Sequence, residues 1–104
     1  VNNIGAQGAV GFAKYVQRTN VHTVDLNSNY IGDQGAEGFA KHLQGTRIHT
    51  VNLYCNNIRD QGAVGFAKYL QGTNVHTVNL WWNQIEPDLQ RLLIEQYPYI
   101  KWKF

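Results

Sequence analysis

A chain of 104 residues is enough for one domain and little more, and its 43% hydrophobic content allows a core of modest stability. Charged residues are sparse at 15%, and 9 basic against 7 acidic side chains leave a formal +2, too weak and scattered for a nucleic-acid or membrane-surface footprint. The single cysteine, Cys55, excludes an intrachain disulfide framework, and no apolar run nears the roughly 18 residues of a membrane helix.

From the amino end, Ala9, Phe12, Ala13 and Val16 fall at the i, i+3, i+4, i+7 spacing of one helix face. Val24-Asp25-Leu26 then alternates as a short half-buried strand does. Ala36, Phe39, Ala40 and Leu43 repeat the helical spacing, and Gly45 stands where a left-handed helix cap is expected. The same order returns as the strand Val51-Asn52-Leu53, the helix face Ala63, Phe66, Ala67 and Leu70, and the cap Gly72. Arg18 replaces that glycine in the first unit, so the first helix is expected to end differently. After a third strand, Val78-Asn79-Leu80, Pro87 opens a diverged last helix carrying Leu89, Leu92 and Leu93. Pro98 stops it, and Ile100-Lys101-Trp102-Lys103-Phe104 alternates as a final strand whose lysines guard the sheet edge.

These elements recur with a period of 27: residues 21–47 and 48–74 are identical at 18 of 27 positions. Residues 1–20 are the same unit without its front, and 75–104 form a last unit and cap, so 1–104 is expected to be a single stacked domain. Gly8/Gly11, Gly35/Gly38 and Gly62/Gly65 lie at or inside the helix starts, where each costs roughly 0.5–1 kcal/mol against alanine. Tolerating them in every unit predicts close packing between successive helices. Val1 begins inside a unit, so a piece of a longer array is expected; alone, its uncapped end would invite self-association.

Val21-x-x-Val24-x-Leu26-x-x-Asn29-x-Ile31 fits the pattern LxxLxLxxNxL and recurs from Ile48 and from Val75. The chain therefore resembles the leucine-rich repeats, and its helical half, Gly-Ala-x-Gly-Phe-Ala-Lys-x-Leu, resembles the ribonuclease-inhibitor-like subclass that includes NOD-like receptor repeats. The resemblance implies an α/β solenoid, a right-handed βα superhelix with a parallel sheet on the concave face and helices on the convex face. Stacked units set like residues about 4.8 Å apart, so Asn2, Asn29, Asn56 and Asn83 should form a ladder. In the family such an asparagine satisfies backbone groups in the turn after the strand.

Residues pointing off the strands line the concave face: Thr23, Asp25, Asn27 and Ser28, then Thr50, Asn52, Tyr54 and Cys55, then Thr77, Asn79, Trp81 and Trp82. The scaffold stays constant while the last two places vary from Asn-Ser to Tyr-Cys to Trp-Trp. Tyr54, Trp81 and Trp82 are thus candidate anchors, with Asp25, Asn27, Asn52 and Asn79 supplying polar specificity and Lys101 and Lys103 a basic edge. Cap packing is the alternative for the tryptophans, and Trp82, nearer the turn, is expected to be the more structural of the two. His22, His49 and His76 form a second ladder, but imidazoles one strand apart project in parallel rather than converging on a metal. Cys55 and His49 share a unit without the reach that a nucleophile and base need.

The expected function is recognition of a protein partner on the concave face, without catalysis, cofactor or metal, and without nucleic acid or membrane. The alternatives are a regulator of a GTPase or other enzyme within a longer array, and a self-associating structural repeat. With one cysteine, no Asn-x-Ser/Thr site and no signal-peptide pattern, the expected location is cytoplasmic.

Overall fold

The computed structural model describes residues 3–104. The elements alternate as α1 (Gly5–Val16), β1 (Thr23–Asp25), α2 (Gly32–Ala40), β2 (Thr50–Asn52), α3 (Asp60–Ala67), β3 (Thr77–Asn79), α4 (Pro87–Gln96) and β4 (Lys101–Lys103). All four strands run parallel in the order β1-β2-β3-β4. Thr23, Thr50 and Thr77 are in register, so the 27-residue period is also the period of the sheet. This is the topology of a leucine-rich-repeat solenoid. Asn2, the first rung expected of the asparagine ladder, lies outside the described residues.

A three-residue strand and one helix cannot bury an apolar face alone, so the core forms between units. Val24, Val51 and Val78 point from the sheet toward the helices, where Phe39 and Phe66 are wholly buried. Ile31, Ile58 and Ile85 follow the strands and close the same core. The flanking polar residues of each strand face the other way and remain at least partly exposed.

In the second and third units the helix glycines do what their recurrence predicts, whereas in the first Gly8 meets only Ile4 of its own unit and Gly11 meets nothing. A Cβ on Gly35 would lie 2.9 Å from the Cα of Ala6, and one on Gly62 would lie 2.7 Å from the Cα of Asp33. Backbone on the neighbouring helix cannot yield, so these positions fix the spacing of α1, α2 and α3. Gly62→Ala is expected to destabilise by about 1–3 kcal/mol, the overpacking cost exceeding the gain in helix propensity. Gly11→Ala, with nothing within 4 Å of its Cβ, should instead stabilise by about 0.5–1 kcal/mol. Urea midpoints of the two variants check the opposite signs.

Three further expectations need correction. α2 and α3 end at Ala40 and Ala67, before Leu43 and Leu70, which are buried in the turns that follow. Gly45 and Gly72 are left-handed, at φ 78° and 84°, but they close Leu43–Thr46 and Leu70–Thr73 turns rather than the α-helices themselves. In each, a threonine N–H donates to the leucine carbonyl three residues back, which suits a turn with glycine at its third place. α1, with Arg18 in place of the glycine, runs on to Val16, as expected of a unit that ends differently.

The second correction is Phe12, which is 36% exposed although it occupies the place of Phe39 and Phe66. Its helix has a described neighbour, α2, on one side only. The diverged last helix, α4, falls outside the close helix stack. Leu89 and Leu92 stand 27 residues after Gly62 and Gly65, where branched side chains prevent the close approach. Leu93, at the phenylalanine place, is buried, whereas Leu92 is 45% exposed. The third correction, Trp82, belongs to the candidate site.

Candidate functional site

The outer face of the sheet is a groove of about 590 Å³ bordered by all four strands. Its inner row is Thr23, Thr50, Thr77 and Lys101, and its outer row is Asp25, Asn52, Asn79 and Lys103. Each member of the outer row that precedes a turn also builds that turn. The Asn27 N–H donates to Asp25 Oδ1 at 3.1 Å, the Tyr54 N–H to Asn52 Oδ1 at 3.0 Å, and the Trp81 N–H to Asn79 Oδ1 at 2.9 Å. A backbone N–H can only donate, so these bonds fix the amide oxygens of Asn52 and Asn79 toward the turn and leave their NH2 groups for the groove.

Past the turn the chain is left-handed at Ser28, Cys55 and Trp82, with φ between 57° and 59°. A side-chain-bearing residue adopts that conformation at a cost, here in every unit. This sharp corner separates the strand from the buried asparagine that follows. Asn56 Oδ1 accepts the N–H of Asn29 at 2.8 Å and of Ile31 at 3.3 Å, while its Nδ2 donates to the carbonyls of Leu26 and Tyr54. Asn83 repeats this one unit on, accepting the N–H of Asn56 and Ile58. The rim is therefore anchored from below, and what it carries is presented on a fixed backbone.

It carries Tyr54, Trp81 and Trp82. Tyr54 stands 6.2 Å from Trp81 in an edge-on arrangement and 6.4 Å from Trp82. Trp82 is 68% exposed and Trp81 46%, the reverse of the expectation that Trp82 is the more structural. The left-handed corner at Trp82 places it beyond the cap's reach. Trp81 meets the cap instead: Lys103 Nζ lies 5.1 Å from its ring centroid, a cation–π contact. Sequence spacing misses this contact because β4 follows β3 after 24 residues, not 27.

The structure therefore brings Asn52, Tyr54, Asn79, Trp81 and Trp82 together and adds Lys103. Asp25, on β1, and Asn27, in the turn after it, lie apart, with Asp25 about 10 Å across two strand spacings from Asn79. Asn27 fills the place that Tyr54 and Trp81 fill elsewhere and accepts the Ser28 hydroxyl at 2.7 Å.

The histidines stack rather than converge. His49 and His76 are 4.9 Å apart and nearly parallel, and His22 is 5.7 Å from His49. His49 and His76 each pair Nδ1 with the hydroxyl of the following threonine at 2.8 Å, tying the histidine ladder to Thr50 and Thr77 of the groove. Among the described residues no group of three or more His, Cys, Asp or Glu could hold a metal ion. Cys55 is free and exposed. None of the described helices is long and apolar enough to cross a membrane.

The family model described as a leucine-rich repeat matches residues 17–40 and 47–67, the two segments that hold β1 with α2 and β2 with α3. These matches are consistent with a leucine-rich-repeat protein in general. No curated protein matches the chain.

Proposed function

We propose that this protein is a recognition module of the ribonuclease-inhibitor-like kind, holding a protein partner on the groove of its sheet and on the adjoining aromatic rim, without catalysis. Leucine-rich-repeat folds generally serve as protein-binding modules, which sets the class. The observation that carries the reading is the cluster of half-buried Tyr54 with exposed Trp81 and Trp82, on a backbone that every unit otherwise keeps constant. Large aromatic side chains with few rotatable bonds bury much area at small entropic cost, the property of interface anchors. Trp81, half-buried and backed by Lys103, is already ordered, so its immobilisation on binding costs little more.

Capture on immobilised protein, run beside Trp81→Ala, tests this. A partner held by the wild-type chain should bind the variant about 2 kcal/mol more weakly, roughly thirtyfold in Kd. Undiminished affinity would refute the assignment of Trp81 as an anchor. Folding of the variant is checked first by circular dichroism, since Trp81 contributes nothing to the buried core.

Self-association is a second reading, favoured by a different observation: the exposure of Phe12 on α1, where the equivalent phenylalanines are buried. That face suits stacking of a further βα unit. Concentration-dependent sedimentation is its mark, and Trp81→Ala should leave it unchanged.

A further inference from the structure

Charge on the groove is confined to its two ends. Asp25 lies on β1, and Lys101 and Lys103 lie on β4, with threonine and asparagine between them. Three strand spacings, about 14 Å, separate Asp25 from Lys103. Toward β4 the outer row is uncharged amide until Lys103: the oxygens of Asn52 and Asn79 each already accept one N–H, from Tyr54 and Trp81, while their NH2 groups remain available to donate. Neither lysine makes a salt bridge among the described residues. Both are exposed and project from the same face of one strand, about 6.7 Å apart. An extended segment repeats its side chains at that same interval. Beyond Lys103, in the direction of the strands, the next feature is Trp81 with Tyr54 beside it.

Resting on the recognition reading above, we propose that the partner contributes an extended acidic segment. Two carboxylates at alternate positions pair with Lys101 and Lys103, and the following alternate residue is aromatic and seats against Trp81 and Tyr54. The geometry recognises carboxylate, spacing and aromatic residue together, which is more selective than a basic surface alone. Single-stranded nucleic acid also uses cations and aromatic rings. A continuous polyanion, however, would find only two cations here and would be repelled by Asp25 wherever it crossed the sheet.

The lysines also blunt the outer edge of the sheet, and that duty is indifferent to the sign of the charge. Charge reversal therefore separates the two roles: Lys101→Glu with Lys103→Glu keeps the edge charged but inverts its preference. The probes are two acetylated, amidated peptides, Ser-Glu-Ser-Glu-Ser-Phe-Ser and Ser-Lys-Ser-Lys-Ser-Phe-Ser, titrated by calorimetry and tryptophan fluorescence. The wild-type chain should bind the glutamate peptide about tenfold more tightly than the lysine peptide, two exposed ion pairs supplying the difference. That ratio should shrink toward unity at about 1 M salt and invert in the double variant.

Equal affinity for the two peptides, a preference that survives charge reversal, or no binding of the glutamate peptide at millimolar concentration overturns the proposal. Tighter binding of oligothymidylate than of the glutamate peptide overturns it in favour of nucleic acid. The two readings fail separately. If the peptide preference is absent while Trp81→Ala still loses its captured partner, the acidic segment is wrong and the recognition module stands. If Trp81→Ala keeps the partner at undiminished affinity, Trp81 as an anchor of the recognition surface falls, whatever the peptides show.

Discussion

Replacing Asn56 with alanine is expected to cost about 3–5 kcal/mol, a large share of what a domain of this size possesses. Asn56 is wholly buried and makes four hydrogen bonds from a single carboxamide. Two of them satisfy the N–H groups of Asn29 and Ile31, which belong to the preceding unit and bracket its turn. Alanine leaves both donors without their partner, and each such loss costs about 1–3 kcal/mol. The cavity is too closely surrounded by the turn for bulk water to substitute freely. The control is Asn52→Ala, which removes one hydrogen bond, to the Tyr54 N–H, at a partly exposed position and should cost about 1 kcal/mol. Urea denaturation compares them directly. A midpoint shift for Asn56→Ala no larger than that for Asn52→Ala would show that the ladder does not hold the units together. Asn56 does not line the groove, but its Nδ2 holds the Tyr54 carbonyl, so the substitution also loosens the rim that carries Tyr54.

How far the architecture was legible in the residues depends on where the period holds. Within the two full units it holds closely, and there the period alone places Thr23 opposite Thr50 and Thr50 opposite Thr77. The glycines at 35 and 62 similarly foretell the close helix packing, because a costly residue that recurs needs a steric reason. Past Ile85 the period fails. The alternation of Lys101, Trp102 and Lys103 identifies a strand and its two faces, but alternation carries no register. The three-residue shortening sets Lys103, not another residue, beside Asn79 and over Trp81. The aromatic column was visible as variation against a constant scaffold. Its ordering was not, because the left-handed corner at Trp82 is a backbone property that a tryptophan in the sequence does not announce. Proximity to a turn suggested packing, whereas the corner turns Trp82 outward. Asp25 illustrates the opposite failure: it shares its row with Asn52 and Asn79, yet it lies two strands from the aromatic cluster.

Phe66→Ala is expected to destabilise by about 3–5 kcal/mol, and Phe12→Ala by only about 1 kcal/mol, although the two residues occupy the same place in their units. Phe66 is wholly buried, so truncation removes its transfer free energy and leaves a cavity as well. The walls of that cavity cannot close in easily. Gly62 holds α3 against the backbone of α2 at a separation with no slack, so the helix cannot sink to fill the space. Phe12 is already 36% exposed, and α1 has a described neighbour on one side only. Truncation there removes less contact, and the helix is free to adjust. The position in the stack amplifies the difference. Each unit gains most of its stability from its neighbours, so loss at the third unit weakens the interfaces on both sides, while loss at the first weakens one. Unfolding followed by tryptophan fluorescence, which reports Trp81, Trp82 and Trp102, and by circular dichroism, which reports all the helices, should coincide for the wild-type chain. For Phe66→Ala both should shift together to lower urea. For Phe12→Ala an early loss of helical signal ahead of the fluorescence change would mark fraying of α1 alone. Equal shifts for the two variants would mean that burial of the phenylalanine place does not set its contribution, and that the stack is held mainly by its turns.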